Sequence, residues 1–376
     1  TWLSDDGPAR LDPIAQPGRF RLGSVLVEPL AESEALLTSL VRRISGEPGS
    51  AAAEVQQAFL LAASHGFQSC WTSLNANPSG ASAINGRISY LDWIRRFDTL
   101  SSAQCNELRE AIAQLPRRPM ISLILLIGDA SEHRVRACID SIVAQLYADW
   151  ELCLLVGGPR GSEMDCMLAG YVERHSRTRL VDRVDDQPLA TLLDQAVAAA
   201  QGQFVGVLGD APVLPRHSLL AFADAIIGNP DATILYSDAD CIEGAGHRVD
   251  PYFKPDWNPD LFLSQDYLNP FALYAIALAR DAGCPRGVAD DALLQGLALR
   301  CLSRAAVHDS GIVHLGLVLC HASTRWDDGS TRDARRQMLV EHLAADAAGI
   351  EVESIAWGHA IRRPLTQPVP KVSLII

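Results

Sequence analysis

The sequence predicts an α/β protein, a mostly parallel sheet flanked by helices, preceded by a mainly helical N-terminal region. Three observations predict it. From Pro119 onward, short apolar runs alternate with stretches of helical periodicity. The apolar runs are continuous, as in strands buried on both faces of a parallel sheet. Residues 1–118 lack that alternation and carry mostly helical patterns broken by turn-rich segments.

Within 1–118, "RFRLGSVLVEPL" can form a short strand pair, and "SEALLTSLVRRI" and "AAAEVQQAFLLAASHGF" have helical spacing. "SGEPGS" and "NANPSGASAING" break the pattern. "ISYLDWIRRFDTLSSAQCNELREAIAQL" reads as two helices, the second capped by Ser101 or Ser102. Pro116 and Pro119 close the region. "MISLILLI" then opens the sheet, and "SEHRVRACIDSIVAQL" is a helix with Val135, Ile139, Ile142 and Val143 on its apolar side. "WELCLLVG", "TRLVDRV", "QFVGVLG" and "ATILYSDAD" are the next strands. "MDCMLAGYVERHS", "PLATLLDQAVAAAQ" and "HSLLAFADAIIGN" are the helices between them. Ligands of such sheets bind beyond the carboxyl ends of the strands. That draws attention to Asp129, Gly157-Gly158, Gly209-Asp210 and Ser237–Asp240.

Composition narrows the class. The chain has 376 residues, 48% of them hydrophobic and 20% charged, enough to bury a core without a metal or disulfide staple. A net charge of −13 with no basic stripe argues against a nucleic-acid surface. The nine cysteines are scattered with no Cys-x-x-Cys pair, which fits reduced thiols and a cytoplasmic setting. Ile121–Ile127, an apolar run broken only by Ser122, is too short to span a bilayer. The first residues, "TWLSDDGPAR", have no signal-peptide pattern. "RRPMISLILLI" at 117–127 is echoed by "PVPKVSLII" at 368–376. That echo suggests that a second α/β domain starts within 366–376.

Two segments concentrate chemistry. "YSDAD" sets Asp238 and Asp240 one residue apart, just past a β-rich run. Such a pair can share a hard cation, or decorate a solvated turn. "DPYFKPDWNPDLFLSQDYL" combines rings, prolines and carboxylates, and its prolines favour an extended chain. Trp257 could stack on a sugar, with Asp256 and Asp266 accepting hydroxyl hydrogen bonds; equally, the aromatics could pack under the sheet edge. Asp290-Asp291 stand where a helix starts, suited to its dipole. His321 follows an apolar run as a metal-ligand or structural histidine. No Walker loop, dinucleotide fingerprint or nucleophile elbow is present.

The order of "RRPMISLILLI", "ACIDSIVAQLYADWELC", "GQFVGVL", "DATILYSDAD", "DPYFKPDWNPDLFLSQDYL" and "VLCHAS" resembles family 2 glycosyltransferases. The likeness is to the multi-domain bacterial type associated with O-antigen and other surface polysaccharides. It covers about 87–376, with a GT-A-like domain at 119–365. It implies a nucleotide-sugar donor, a glycan acceptor, inverting transfer, and a divalent cation, manganese or magnesium, at an Asp-x-Asp loop. It also implies a following glycosyltransferase domain in the same chain, and a place in the cytoplasm or at the periphery of the inner membrane.

By the same resemblance, Asp290 matches the catalytic base, Asp210 with Asp238 or Asp240 a residual cation site joined by His321, and Asp256, Trp257 and Asp266 the substrate wall. Several positions depart from the family. Val156 and Gly157 replace nucleotide-holding acidic residues, and Asp194 stands for an asparagine. The metal loop is reduced to Gly209-Asp210-Ala211-Pro212. Two expectations follow: a glycosyltransferase with an impaired metal site, or a catalytically silent module that binds glycan or scaffolds an active domain. Convergence of Asp210, Asp240 and His321 beside an open nucleotide pocket distinguishes the first. A pocket filled by Pro188 and Leu189 favours the second.

Overall fold

A computed structural model describes residues 89–158, 161–182, 187–244, 246–287, 292–304, 308–323, 332–344, 349–355 and 358–364. The expected strand pair and helices before residue 89, the Asp290-Asp291 pair, and the repeat at 366–376 lie outside them. The chain divides into two compact units, Thr1–Leu115 and Pro116–Ile376.

In the first unit, α1 (Tyr90–Phe97) starts where Ser89 Oγ accepts the Asp92 N–H. α2 (Ser102–Ala113) starts at Ser101, whose side chain and Gln104 form a reciprocal capping box.

The second unit is built on an eight-stranded sheet. Its first part alternates β1 (Ile121–Ile127), α3 (Glu132–Val143), β2 (Trp150–Val156), α4 (Ser162–Arg174), β3 (Thr178–Asp182), α5 (Leu189–Ala199), β4 (Phe204–Leu208) and α6 (Ser218–Gly228). β5 (Ile234–Glu243), β6 (His247–Tyr252), α7 (Pro259–Ser264), β7 (Ala272–Ala275), α8 (Ile276–Ala282), α9 (Leu293–Leu302) and β8 (Ile312–Ala322) follow. α10 (Arg332–Leu343) and a separate hairpin of β9 (Glu351–Ile355) and β10 (Gly358–Arg362) complete the order.

The strand order is β3-β2-β1-β4-β7-β5-β6, with β8 on β5. β1 to β4 are parallel; β7 is antiparallel to both β4 and β5, so β5 and its parallel partner β8 run with β4. All these carboxyl ends therefore face one side. β8 pairs with β5 along Ile234–Cys241, while β7 and then β6 share its other edge.

Every residue of β2 is buried, as a doubly covered strand requires. In α3, Val135, Ile139 and Ile142 are buried, and Val143 is partly covered. The turn into β4 needs glycine: a Cβ on Gly202 would lie 2.7 Å from the Ser122 nitrogen and 2.8 Å from the Met120 carbonyl. Under that turn, buried Glu151 accepts from Ser122 Oγ and the Gln201 N–H, each at 2.6 Å, and pairs with Arg179. The eight described cysteines are free thiols.

Two expectations are corrected. "YSDAD" is neither a strand end nor a solvated turn; it lies inside β5, and Asp238 and Asp240 are fully buried. The strand extends because β6 and β8 pair with its far half, with register shifts that accommodate the carboxylates. The proline-rich segment is not extended throughout. Pro259 starts α7, where its missing N–H costs nothing, and Asn258 Oδ1 caps the helix through the Leu261 N–H.

Candidate functional site

Two polar clusters hang from β5. The first surrounds Asp238. His314 Nε2 donates to Asp238 Oδ1 at 2.8 Å, and His314 Nδ1 donates to Asp256 Oδ1 at 3.2 Å. Ionised carboxylates only accept, so both ring nitrogens carry protons and the ring is an imidazolium. Burial opposes that charge, but Asp238 and then Asp256 outweigh it and raise the His314 pKa to about 9. In return, the hydrogen bond from His314 holds Asp256 below the usual carboxylate range. The Tyr236 ring stacks on His314, and its hydroxyl donates to the Pro255 carbonyl at 2.6 Å. Asp238 Oδ1 also accepts the Lys254 N–H at 2.8 Å. Burial pushes the Lys254 ammonium down to about 8, with Nζ donating to the Asn269 carbonyl at 3.0 Å.

The second cluster surrounds Asp240. His321 Nδ1 donates to Oδ1 and Arg248 Nε to Oδ2, each at 2.5 Å. Burial, then His321 and Arg248, push neighbouring His217 down to about 4, so it stays neutral. The carboxylate thus already faces one guanidinium and one imidazole.

The loop after β4 forms a third feature. Asp210 and Ala211 both adopt positive φ, 55° and 49°, an uncommon conformation for residues with a Cβ. The Asp210 carbonyl accepts from Arg134 Nη2 at 2.6 Å and from Ser323 Oγ at 2.5 Å. Arg134 Nη2 also donates to Ser323 Oγ. Val213 and His321 bridge through their backbones, fixing the loop against the end of β8. The Asp210 side chain is exposed.

The predicted site residues therefore separate. Asp240 and His321 meet, but Asp210 presents its carbonyl to Arg134 and Ser323, with its side chain exposed. Asp256 and Trp257 lie towards the amino end of β8, through His314 and through Asp309, which accepts the Trp257 indole N–H at 2.8 Å. His314 is level with Tyr236, four residues before Asp240 on β5, or about 13 Å at roughly 3.3 Å per residue. The Trp257 ring packs on Phe262 and Tyr267. Asp266 is half-buried, accepts from Asn269 Nδ2, and has its pKa raised by burial. Asp290 is outside the described residues.

A divalent cation fits this arrangement poorly. Among the described residues, no group of three His, Cys, Asp or Glu side chains could hold one. Asp240 is bonded through both oxygens, and Gly209 and Ala211 bring no ligand. Elsewhere, Leu189 is buried, and a Cβ on Gly157 would lie 3.3 Å from its Cδ1. No local pattern singles out His314, Arg248, Arg134 or Ser323. The partners of His314, Arg134 and Ser323 are distant in sequence, as with His314 and Asp238, 76 residues apart.

No protein-family model matches the chain. It is 36% identical over 287 residues to the O-antigen biosynthesis protein RfbC of Myxococcus xanthus, covering 73% of this chain and 22% of that protein. It is 29% identical over 304 residues to the uncharacterized protein y4gI of Sinorhizobium fredii, covering 77% of this chain and 33% of that protein. The chain thus spans between a fifth and a third of these relatives. A solved mannosyltransferase from Pyrobaculum calidifontis, in complex with GDP-Man and Mn2+, is a distant likeness: 18% identity, 64% of this chain, 69% of that chain, TM-score 0.44. No helix among the described residues is long and apolar enough to cross a membrane. The chain is thus similar, over 73% of its length, to a segment of an O-antigen biosynthesis protein, and it carries a mostly parallel sheet flanked by helices.

Proposed function

We propose that this chain is a glycosyltransferase module of surface-glycan assembly, moving a sugar from a nucleotide-sugar donor to a growing O-antigen-like acceptor. The observation that carries the reading is the 36% identity over 287 residues to an O-antigen biosynthesis protein. In the transfer, the bond from the sugar anomeric carbon to the diphosphate oxygen breaks as the acceptor oxygen bonds to that carbon. The acceptor proton passes to a carboxylate, for which Asp290 is the candidate. The donor lies beyond the carboxyl ends of β1 and β4. The polysaccharide acceptor and a following glycosyltransferase domain are the partners of this reading, and cytoplasm or the inner-membrane periphery is its setting.

One observation favours a second reading. Leu189 lies against Gly157, where the family places a nucleotide-holding carboxylate. A module with that pocket narrowed binds glycan or supports an active domain without turning over donor.

The test is release of nucleoside diphosphate from a panel of UDP-, GDP- and dTDP-sugars, with a saccharide acceptor present. Turnover that Asp290→Asn lowers by about 10²-fold or more supports transfer. Binding of an acceptor saccharide without any turnover supports the silent module. Neither turnover nor binding removes both readings.

A further inference from the structure

Among the described residues, no carboxylate pairs with Arg134. It is the third residue of α3, close to the positive end of the helix dipole, where a positive charge is disfavoured. Its described partners are neutral, the Asp210 carbonyl and the Ser323 hydroxyl. Its Nε is buried with no acceptor. Neighbouring Arg136 pairs with Glu132, and Arg248 pairs with Asp240. Arg134 joins three segments at the carboxyl ends of the strands: the start of α3 after β1, the loop after β4, and the residue after β8. Two consecutive positive-φ residues are held in place by these bonds. Strained backbone that its surroundings over-determine points to a site.

We propose that the Arg134 guanidinium supplies the positive charge that a diphosphate needs at this end of the sheet, so that the chain binds nucleoside diphosphates without a divalent cation. The inference rests on the donor-binding reading above and deepens it. The described ligand set does not fit a metal ion, while a guanidinium presents planar N–H donors matched to phosphate oxygens. A diphosphate bound there would compensate a charge that no described carboxylate pairs.

The experiment is calorimetric titration of the chain with UDP, GDP and dTDP, in EDTA and in Mn2+, on wild type and three variants. Wild type is expected to bind at least one of them equally in EDTA and Mn2+, within about 3-fold. Arg134→Gln should weaken that binding by about 10-fold or more, and Arg134→Lys, which keeps the charge but not the fork, by less. Ser323→Ala removes the loop bond but not the charge, and should bind within about 3-fold of wild type. Binding only with Mn2+ overturns the inference and leaves donor binding standing. So does an Arg134→Gln protein that binds like wild type, or a Ser323→Ala loss as large as that of Arg134→Gln, which would make the arginine a loop clamp. If Arg134→Gln does not fold, Arg134→Lys and the EDTA comparison decide. No binding by wild type in either condition overturns the inference and the donor reading together.

Discussion

His314 carries two carboxylate bonds on a ring that is itself buried. Its folded pKa, about 9, lies above the ordinary imidazole value of 6.5. The stability it contributes is therefore fully present below about pH 6.5 and is lost as pH rises through about 9. Unfolding free energy should fall by about 1–3 kcal/mol across that window, in excess of the slope of a His314→Gln protein. Denaturant melts of both proteins at pH 6 and 9 check this; parallel slopes would show that the ring is not charged in the native state. The two aspartates were legible from their one-residue spacing, but their state was not. Asp238 and Asp240 become buried ion-pair members because His314 and His321 arrive on a strand 76 and 81 residues later. A local pattern has no access to that pairing. Trp257 shows the same limit: its ring and prolines suggested a sugar platform or a packed loop, and its indole N–H turns out to be bonded to Asp309.

At the scale of elements, β4 is confined at Gly206 and at Gly202 in the turn before it. A Cβ on Gly202 meets backbone at 2.7 Å and 2.8 Å, and one on Gly206 lies 2.6 Å from Leu273 Cδ2 on β7. Gly202→Ala should cost about 2–4 kcal/mol, since backbone cannot give way as a side-chain tip can. Gly206→Ala should cost less if Leu273 shifts, and thermal melts of the pair test the ordering. Glu151 ties β2 to β1 and to the turn before β4. Glu151→Ala should cost about 3–5 kcal/mol by orphaning these donors and Arg179, read from urea midpoints. The parallel strands were readable because burial on both faces makes them continuously apolar. β6 and α7 were not, because Pro251 and Pro259 disguise an edge strand and a helix start as extended chain. β8 mixes buried and half-buried residues over Ile312–Leu317 and is buried throughout from Val318, so its first half shows neither clean alternation nor a continuous run.

At the scale of the molecule, the sheet separates two chemistries. The Asp210 loop, Arg134, Ser323 and His321 occupy the carboxyl ends of the strands; Asp256, His314 and Trp257 lie towards the amino end of β8. Ligand binding at the first end should appear as global stabilisation. A nucleoside diphosphate at 100 times its Kd adds about 2.7 kcal/mol, or roughly 5–10 °C in Tm for a domain of this size. That shift is expected in EDTA as well as in Mn2+, and its absence with every nucleotide would leave the carboxyl-end loop without a ligand. The overall α/β class followed from alternation alone, whereas the division of the sheet into two ends required the register of β8 on β5. β5 has a further consequence. It is the one strand bonded on one edge by β8 and on the other by β7 and β6 in turn. No opening of a single neighbour frees both its edges. Its amides, Leu235 to Cys241, should be among the slowest to exchange with deuterium and should report global unfolding, while those of β3, at the other end of the sheet order, exchange sooner.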